Sequence, residues 1–406
     1  MIGLKCKTSI IIILIMIVNI CTYSFSDDLN EGQLVIKAFV SQQKDASVSV
    51  PVVNAQAAIV IDSNSGRILY SKNSDQRKYI ASTTKIMTAI VTLENGNLED
   101  IVTISKRAAS IQGSSINLKE GEKLKLKELL YGLMLNSGND AAIAIAEHIG
   151  GDVETFVDMM NKKAKELNLE NTSFKTPHGL DRDGHYSTAY ELAQMAKYAL
   201  SKPEFASICK TVSKSITGRS LYNTNEMLGF YPGADGVKTG YTGQAGRCLV
   251  CSATRDGYRL ISVVLGCPTR TIRAESSRKI LDYSFKNYKQ RTLLRVDDEI
   301  KKVPVIKGKE KFVSLISTDE ITYPLTDEEF SNLKRVEEIP DSIEAPIREG
   351  INIGNISFSL DGNIIAQSEL KTRHEVLRKG FLDYMSEMLK EWLLYMNPSM
   401  DSQPGT

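Results

Sequence analysis

Histidine is scarce in this chain of 406 residues, which carries four, and so is any excess of charge: 50 Lys and Arg stand against 49 Asp and Glu, a formal net charge of +1. A protein that grips nucleic acid by its phosphates needs a basic face, and no nucleic-acid-binding signature occurs, so nucleic acid is excluded as a partner. Proline is sparse at 11 residues while 42% of the chain is hydrophobic, which excludes an extended disordered protein. Internal repeats and low-complexity segments are absent, and the length suffices for two domains with their own cores. His148, His178, His185 and His374 stand in unrelated contexts, so a Ser-His-Asp triad is not expected. His178, in TPHGLD, reads as shaping a loop with Pro177 and Gly179 rather than as a catalytic base.

At the amino terminus Lys5 and Lys7 precede the run IIIILIMIV (residues 10–18), and Ser24-Phe25-Ser26 offers small residues at two cleavage positions. The run is short for a bilayer span, so residues 1–26 read as an export signal cut near Ser26 rather than a retained anchor. Bulky Ile20 before Cys21 argues against a lipoprotein signal. Cleavage leaves Cys209, Cys248, Cys251 and Cys267 of the six cysteines. Cys248-Leu-Val-Cys251 has the spacing of a redox or zinc pair. It falls in GRCLVCSATRDGYRLISVVLG, however, two strands around an Asp256-Gly257 turn, where residues i and i+3 face opposite sides. Buried unpaired thiols are expected, with no metal and no cofactor.

Residues 27–52 are polar and aperiodic and read as a linker. AAIVID and GRILYS alternate around Ser63-Asn64-Ser65-Gly66, a hairpin that opens the first domain. Helical spacing follows over 83–95, 126–136, 140–149, 153–167 and 188–200, then strands over 235–239, 246–254 and 258–266, and a helix over 271–287. Strands at both ends with helices between them predict an α+β domain over 53–290, built on one antiparallel sheet. From 291 to 373 short β-rich segments such as KFVSLIS and INIGNISFSLDGNIIAQ predict a small all-β domain, without clustered His, Cys or Ser/Lys. EVLRKGFLDYMSEMLKEWLLYM then places Leu377, Phe381, Met385, Met388, Trp392 and Tyr395 on one face, so 374–396 reads as an amphipathic helix, ahead of a tail at 397–406. Its charges exclude a bilayer span. The sole tryptophan on its apolar face suits a helix lying in the membrane surface, and packing on its own β domain is the alternative.

The chemistry is carried by serine and lysine. A serine hydroxyl needs an adjacent base, and a lysine serves as one only where burial or neighbouring cations lower its pKa. Ser-x-x-Lys occurs six times, at Ser41, Ser82, Ser207, Ser276, Ser331 and Ser368. Only Ser82 stands at a helix start whose lysine, Lys85, is embedded among Ile80, Ile86, Met87, Ile90 and Val91. There, positions i and i+3 share a face and the helix start offers N–H groups to a developing oxyanion. Downstream, LNSGNDAA breaks two helices, where Gly138 lets the chain turn and Ser137 and Asn139 project into a cleft. GADGVKTGYT holds the one Lys-Thr-Gly of the chain: Lys238 and Thr239 suit a carboxylate, and Gly240 lets a substrate backbone lie close.

Ser-x-x-Lys, Ser-x-Asn and Lys-Thr-Gly in that order resemble the penicillin-recognising serine acyltransferases. With ASTTKIMTA, LNSGNDAA, TPHGLD and GADGVKTGYT, residues 53–290 resemble the secreted D-alanyl-D-alanine carboxypeptidases, the low-molecular-mass penicillin-binding proteins. The resemblance implies a β-lactamase/transpeptidase-like catalytic domain at the outer face of a bacterial membrane or in the wall. Its substrate would be the peptidoglycan stem peptide, and β-lactams its inhibitors. It implies that Ser82 attacks the carbonyl between two D-alanines with Lys85 as general base, that Ser137 relays a proton to the leaving D-alanine, and that Asn139 orients the substrate amide. Lys238 and Thr239 would bind the terminal carboxylate, and the N–H groups of Ser82 and Tyr241 would form the oxyanion hole. Arg273 matches a family arginine near the carboxylate site; a solvated arginine at a helix start stays open as the alternative. A β-lactamase would carry a deacylating glutamate where Ala164 stands ahead of Leu167-Asn168, so a long-lived penicilloyl adduct is expected. Endopeptidase action on crosslinks and a non-catalytic wall-binding protein are the other readings.

Overall fold

The computed structural model describes residues 49–396, so the expected signal segment 1–26, most of the 27–52 linker and the 397–406 tail lie outside the described residues. The chain divides between Asn287 and Tyr288. In the first unit β1 (Ala57–Asp62) turns into β2 (Ile68–Lys72). The Asp62 carboxylate accepts the N–H of Ser65 at 2.7 Å, and Gly66 takes the positive φ of +78° that closes the hairpin. A 3-10 turn, Ala81–Thr84, leads into α1 (Lys85–Asn95). Then come β3 (Ile101–Thr103), α2 (Lys106–Ser110), β4 (Lys123–Lys125), α3 (Leu126–Leu135), α4 (Asn139–Gly150), α5 (Val153–Glu166), α6 (Ala189–Leu200) and α7 (Pro203–Cys209). Two hairpin strands, β5 (Ser213–Ile216) and β6 (Arg219–Tyr222), precede β7 (Ala234–Thr242), β8 (Gly246–Arg255), β9 (Tyr258–Cys267) and α8 (Arg270–Asn287).

The main sheet is antiparallel throughout, in the order β2-β1-β9-β8-β7. Its inner strands are buried on both faces, which is why AAIVID is apolar without strict alternation. The same burial explains the cysteines. Cys248 and Cys251 point to opposite faces of β8, yet both faces lie inside the protein, and with Cys209 and Cys267 they are free thiols. Burial pushes Cys248 up to about 11 and Cys267 up to about 12, so they stay protonated at neutral pH. The sheet leaves β7 as an edge strand. α1 is buried from Lys85 to Thr92 and packs against α3, α4, α5, α6 and α7. α5 and α6 start at Asp152 and Thr188, whose side chains accept the N–H groups of Thr155 and Glu191.

The second unit contains β10 (Lys289–Leu294), β11 (Glu299–Ile306), β12 (Phe312–Ser317), β13 (Ile321–Leu325), α9 (Asp327–Ser331), β14 (Lys334–Glu338), β15 (Ile343–Glu344), β16 (Asn352–Leu360) and β17 (Asn363–Thr372). A six-stranded sheet, β14-β16-β17-β12-β11-β15, and the β10-β13 pair enclose a core of Leu294, Val303, Val313, Leu315, Ile356, Phe358 and Leu370. The terminal helix, α10 (Phe381–Met396), starts later than the residue 374 read from side-chain spacing. Val376 and Arg378 make antiparallel bridges to Ile347 and Gly308, and the Leu377 carbonyl accepts from Lys309, so backbone pairing overrides helical spacing there. Along α10, Phe381, Met385, Met388, Trp392 and Tyr395 are all exposed. Among the described residues no helix is long and apolar enough to cross a membrane.

Candidate active site

Ser82 lies in the 3-10 turn, one turn ahead of α1, and Lys85 is the first residue of that helix. The turn begins at Ala81 with a φ of +46°, a conformation that a residue with a Cβ adopts at a cost. Hydrogen bonds on both sides hold it: Thr83 Oγ1 donates to the Ile80 carbonyl at 2.6 Å and Thr84 Oγ1 to the Ala81 carbonyl at 2.7 Å. Gly179 seats the 176–180 loop on the same turn. Its φ is +88°, and a Cβ there would sit 1.9 Å from the Ala81 carbonyl oxygen.

Lys85 is fully buried. Its Nζ lies 2.9 Å from Ser82 Oγ, 2.8 Å from Asn139 Oδ1 and 2.7 Å from the His178 carbonyl oxygen. Desolvation, followed by the Lys238 charge, drives its pKa well below the usual lysine value, with Asp140 opposing. Asn139 Nδ2 in turn donates to the Gln112 carbonyl at 2.8 Å. Its carboxamide oxygen thus holds Lys85, while the bond to Gln112 takes up one of the two Nδ2 hydrogens. Asp140, the next residue, accepts from Ser115 Oγ and from the N–H groups of Ile116 and Leu118, which fixes the preceding loop to the start of α4.

Ser137 takes a φ of +62° between α3 and α4. The left-handed residue of this break is thus Ser137, and Gly138 serves a different need: a Cβ on it would fall 2.7 Å from Asp140 Oδ1. Ser137, Ser82, Thr239, Gly240, Tyr241 and Arg273 line one cleft of about 440 Å³, together with Thr224, Arg247 and Arg270. β7 forms one wall. A Cβ on Gly240 would lie 3.0 Å from the Ser82 backbone nitrogen, so the missing side chain lets the edge strand close on the turn itself. Tyr241 is exposed, with the Arg247 guanidinium 3.9 Å over its ring.

Lys238 is buried behind the strand and donates to the Thr239 carbonyl at 3.0 Å; burial, then the Arg273 charge, lowers it to about 7. Thr239 Oγ1 shares a 2.7 Å hydrogen bond with Thr224 Oγ1. Arg273 is not a solvated helix-start residue: it is 3% exposed in the first turn of α8 and bound by the equally buried Glu226.

Residues 44–269 match the family described as D-alanyl-D-alanine carboxypeptidase, and residues 288–378 match the C-terminal domain of penicillin-binding protein 5. The chain belongs to the D-alanyl-D-alanine carboxypeptidase family. It is 41% identical over 350 residues to the carboxypeptidase DacF of Bacillus subtilis (strain 168), an alignment that spans 83% of this chain and 90% of that one. Penicillin-binding protein 5 of Haemophilus influenzae superposes with a TM-score of 0.71 at 35% identity, over 82% of this chain and all of that one. A serine-to-alanine variant of the Streptomyces K15 DD-transpeptidase superposes with a TM-score of 0.57 at 36% identity, over 58% of this chain and 99% of that one. The chain is accordingly a serine peptidase with the penicillin-binding-protein fold and an all-β C-terminal domain.

Several members of the site have roles that the sequence alone does not indicate. His178 enters through its backbone carbonyl, while its ring, held neutral by burial with a pKa lowered to about 3, accepts the N–H of Leu180 at 3.2 Å. His185 is likewise neutral, lowered to about 4 by burial, and shares a 2.8 Å hydrogen bond with Thr84 Oγ1 beneath the turn. Thr224 and Glu226 lie outside every recognisable motif, and only proximity in the folded chain brings them to Thr239 and Arg273.

Proposed function

We propose that the chain removes the terminal D-alanine from peptidoglycan stem peptides through an acyl-enzyme on Ser82, and that penicillin traps the same serine. The hydrogen bonds of Lys85 carry this reading. A neutral lysine amine has two N–H groups and one lone pair, and two of the three partners of Nζ, the Asn139 and His178 oxygens, can only accept. With both N–H groups so engaged, the lone pair faces Ser82 Oγ at 2.9 Å, where it takes the hydroxyl proton as the oxygen attacks.

A substrate lying along the β7 edge, antiparallel to it, would set its terminal carboxylate at Lys238, Thr239 and Arg273 and its scissile carbonyl between the N–H groups of Ser82 and Tyr241. The C–N bond breaks as the proton returns through Ser137 to the departing amine, and water then hydrolyses the ester. Asn139 acts on this reading chiefly as a clamp on Lys85. Ala164, buried in α5, leaves no carboxylate at that position for deacylation, which supports a long-lived penicilloyl adduct. The exposed apolar side chains of α10 support attachment to the external face of the cell membrane after export.

The test is fluorescent penicillin and a D-Ala-D-Ala-ended peptide applied to wild type and Ser82→Ala. Labelling and D-alanine release are both expected to vanish in the variant. Labelling that survives the substitution overturns the assignment of Ser82, and labelling of wild type without D-alanine release favours a binding protein.

A further inference from the structure

Arg273 meets its carboxylate partner edge on. Nε donates to Glu226 Oε1 at 2.9 Å, and Nη2 donates to Oε1 at 2.7 Å and to Oε2 at 2.6 Å. Both side chains are about 4% exposed. Of the guanidinium, the edge formed by Nε and Nη2 is spent, and Nη1 is the part left for a ligand in the cleft that Arg273 lines.

Glu226 is itself held at a fixed place. It ends three consecutive residues that each cross from the 223–233 loop to a different part of the site. Thr224 bonds Thr239 Oγ1, Asn225 Nδ2 donates to the Gly236 carbonyl at 2.8 Å, and Glu226 binds Arg273. The Asn225 carboxamide also accepts the N–H of Met227 at 3.1 Å, which stiffens the loop around Glu226. One short segment thus ties the Lys-Thr-Gly strand to the first turn of α8.

We propose that Glu226 is a positioning residue that aims Arg273 at the terminal carboxylate of the substrate, and that it thereby sets the preference for a free acid over a neutral end. This rests on the carboxylate subsite proposed above. An arginine with no partner inside a buried cleft samples several rotamers and offers its fork in many orientations. Clamped by Glu226, it presents one N–H direction, and it does so on the side of the cleft where Thr239 is fixed by Thr224. Glu226 does not touch substrate; it acts through Arg273, its hydrogen-bonded partner, while the Arg270 guanidinium stands farther off at 3.8 Å.

The experiment compares two peptides that differ only at the last group, one ending in D-Ala-D-Ala acid and one in its carboxamide, with wild type, Glu226→Gln, Arg273→Ala and the double variant. Glu226→Gln is expected to lower kcat/KM for the acid by about tenfold or more, mainly through KM, and to leave the carboxamide within about twofold. In the Arg273→Ala background Glu226→Gln is expected to add no further loss on the acid. Equal losses on both peptides, an unchanged acid reaction, or additive losses in the double variant overturn the proposal. If wild type itself fails to distinguish acid from carboxamide, it is the carboxylate subsite that fails, whereas a discriminating wild type with an unchanged Glu226→Gln removes the role of Glu226 alone.

Discussion

A lysine surrounded by two carbonyl oxygens and a hydroxyl is chemically a different residue from one in water. The cost of burying its charge lowers its affinity for a proton, and that cost also appears in stability. For Lys238 the consequence can be given a sign. It is lowered to about 7 in the folded protein from a reference value of 10.5. Between those limits the unfolded chain binds the extra proton, so stability rises with pH across the window. The stabilisation is complete above 10.5 and is lost as pH falls to about 7, below which both states are charged. Replacing Lys238 with Met removes this term, so urea midpoints followed from pH 7 to 10.5 are expected to climb less steeply in the variant than in wild type. Taking the difference between the two proteins cancels the buried thiols of Cys248, Cys251 and Cys267, which do not interact with Lys238. Identical slopes would show that Lys238 is not held neutral by burial.

At the scale of elements, the site is made by close approaches of backbone. The 176–180 loop, the 3-10 turn and the edge strand β7 meet around Ser82, and glycines stand at two of the close contacts, Gly179 and Gly240. At Gly240 the neighbouring atoms lie 3.0 to 3.2 Å from a virtual Cβ, a contact that small shifts relieve. At Gly179 both terms oppose a side chain, since φ is +88° and the Ala81 carbonyl oxygen lies 1.9 Å from the Cβ position. Gly179→Ala is therefore expected to cost about 2 kcal/mol or more and to slow penicillin acylation by displacing the turn that carries Ser82. Thermal melting together with acylation rates checks this; an unaltered protein would mean that the loop does not brace the turn. Because His178 reaches Lys85 through its carbonyl, the same displacement loosens the base, and labelling is expected to fall further than the melting shift alone accounts for.

For the whole molecule, α10 bears on where it resides. Val376 and Arg378 belong to the β unit by their bridges, so a cut after Lys379 spares that pairing and removes only α10 and the tail. The protein truncated there is expected to appear in the soluble fraction of a cell lysate with its penicillin labelling intact; retention in the membrane fraction would move the anchor elsewhere. Much of this architecture was legible in the sequence because it follows local rules. Apolar residues at helical or strand spacing marked α1, α3 to α6 and the β7-β8-β9 strands to within a few residues. The embedding of Lys85 among Ile80, Ile86, Met87, Ile90 and Val91 anticipated a buried lysine, and all six are fully buried or nearly so. The short elements β3, β4, α2, α7, β5 and β6 were not legible, since three to seven residues hold too little pattern to stand above chance. Neither was the start of α10, where the heptad-like spacing of Leu377 and Phe381 persists although the backbone pairs as strand. The sequence by itself marked Ser82, Lys85, Ser137 and Lys238 as candidates for one kind of chemistry, because residue type and order can be read without the fold. Only the tertiary structure decided that Asn139 clamps Lys85, that a histidine contributes its carbonyl, and that Arg273 is gripped by Glu226, 47 positions away. Such contacts join segments distant along the chain, and they exist only once the sheet edge, the turn and the loops have packed together.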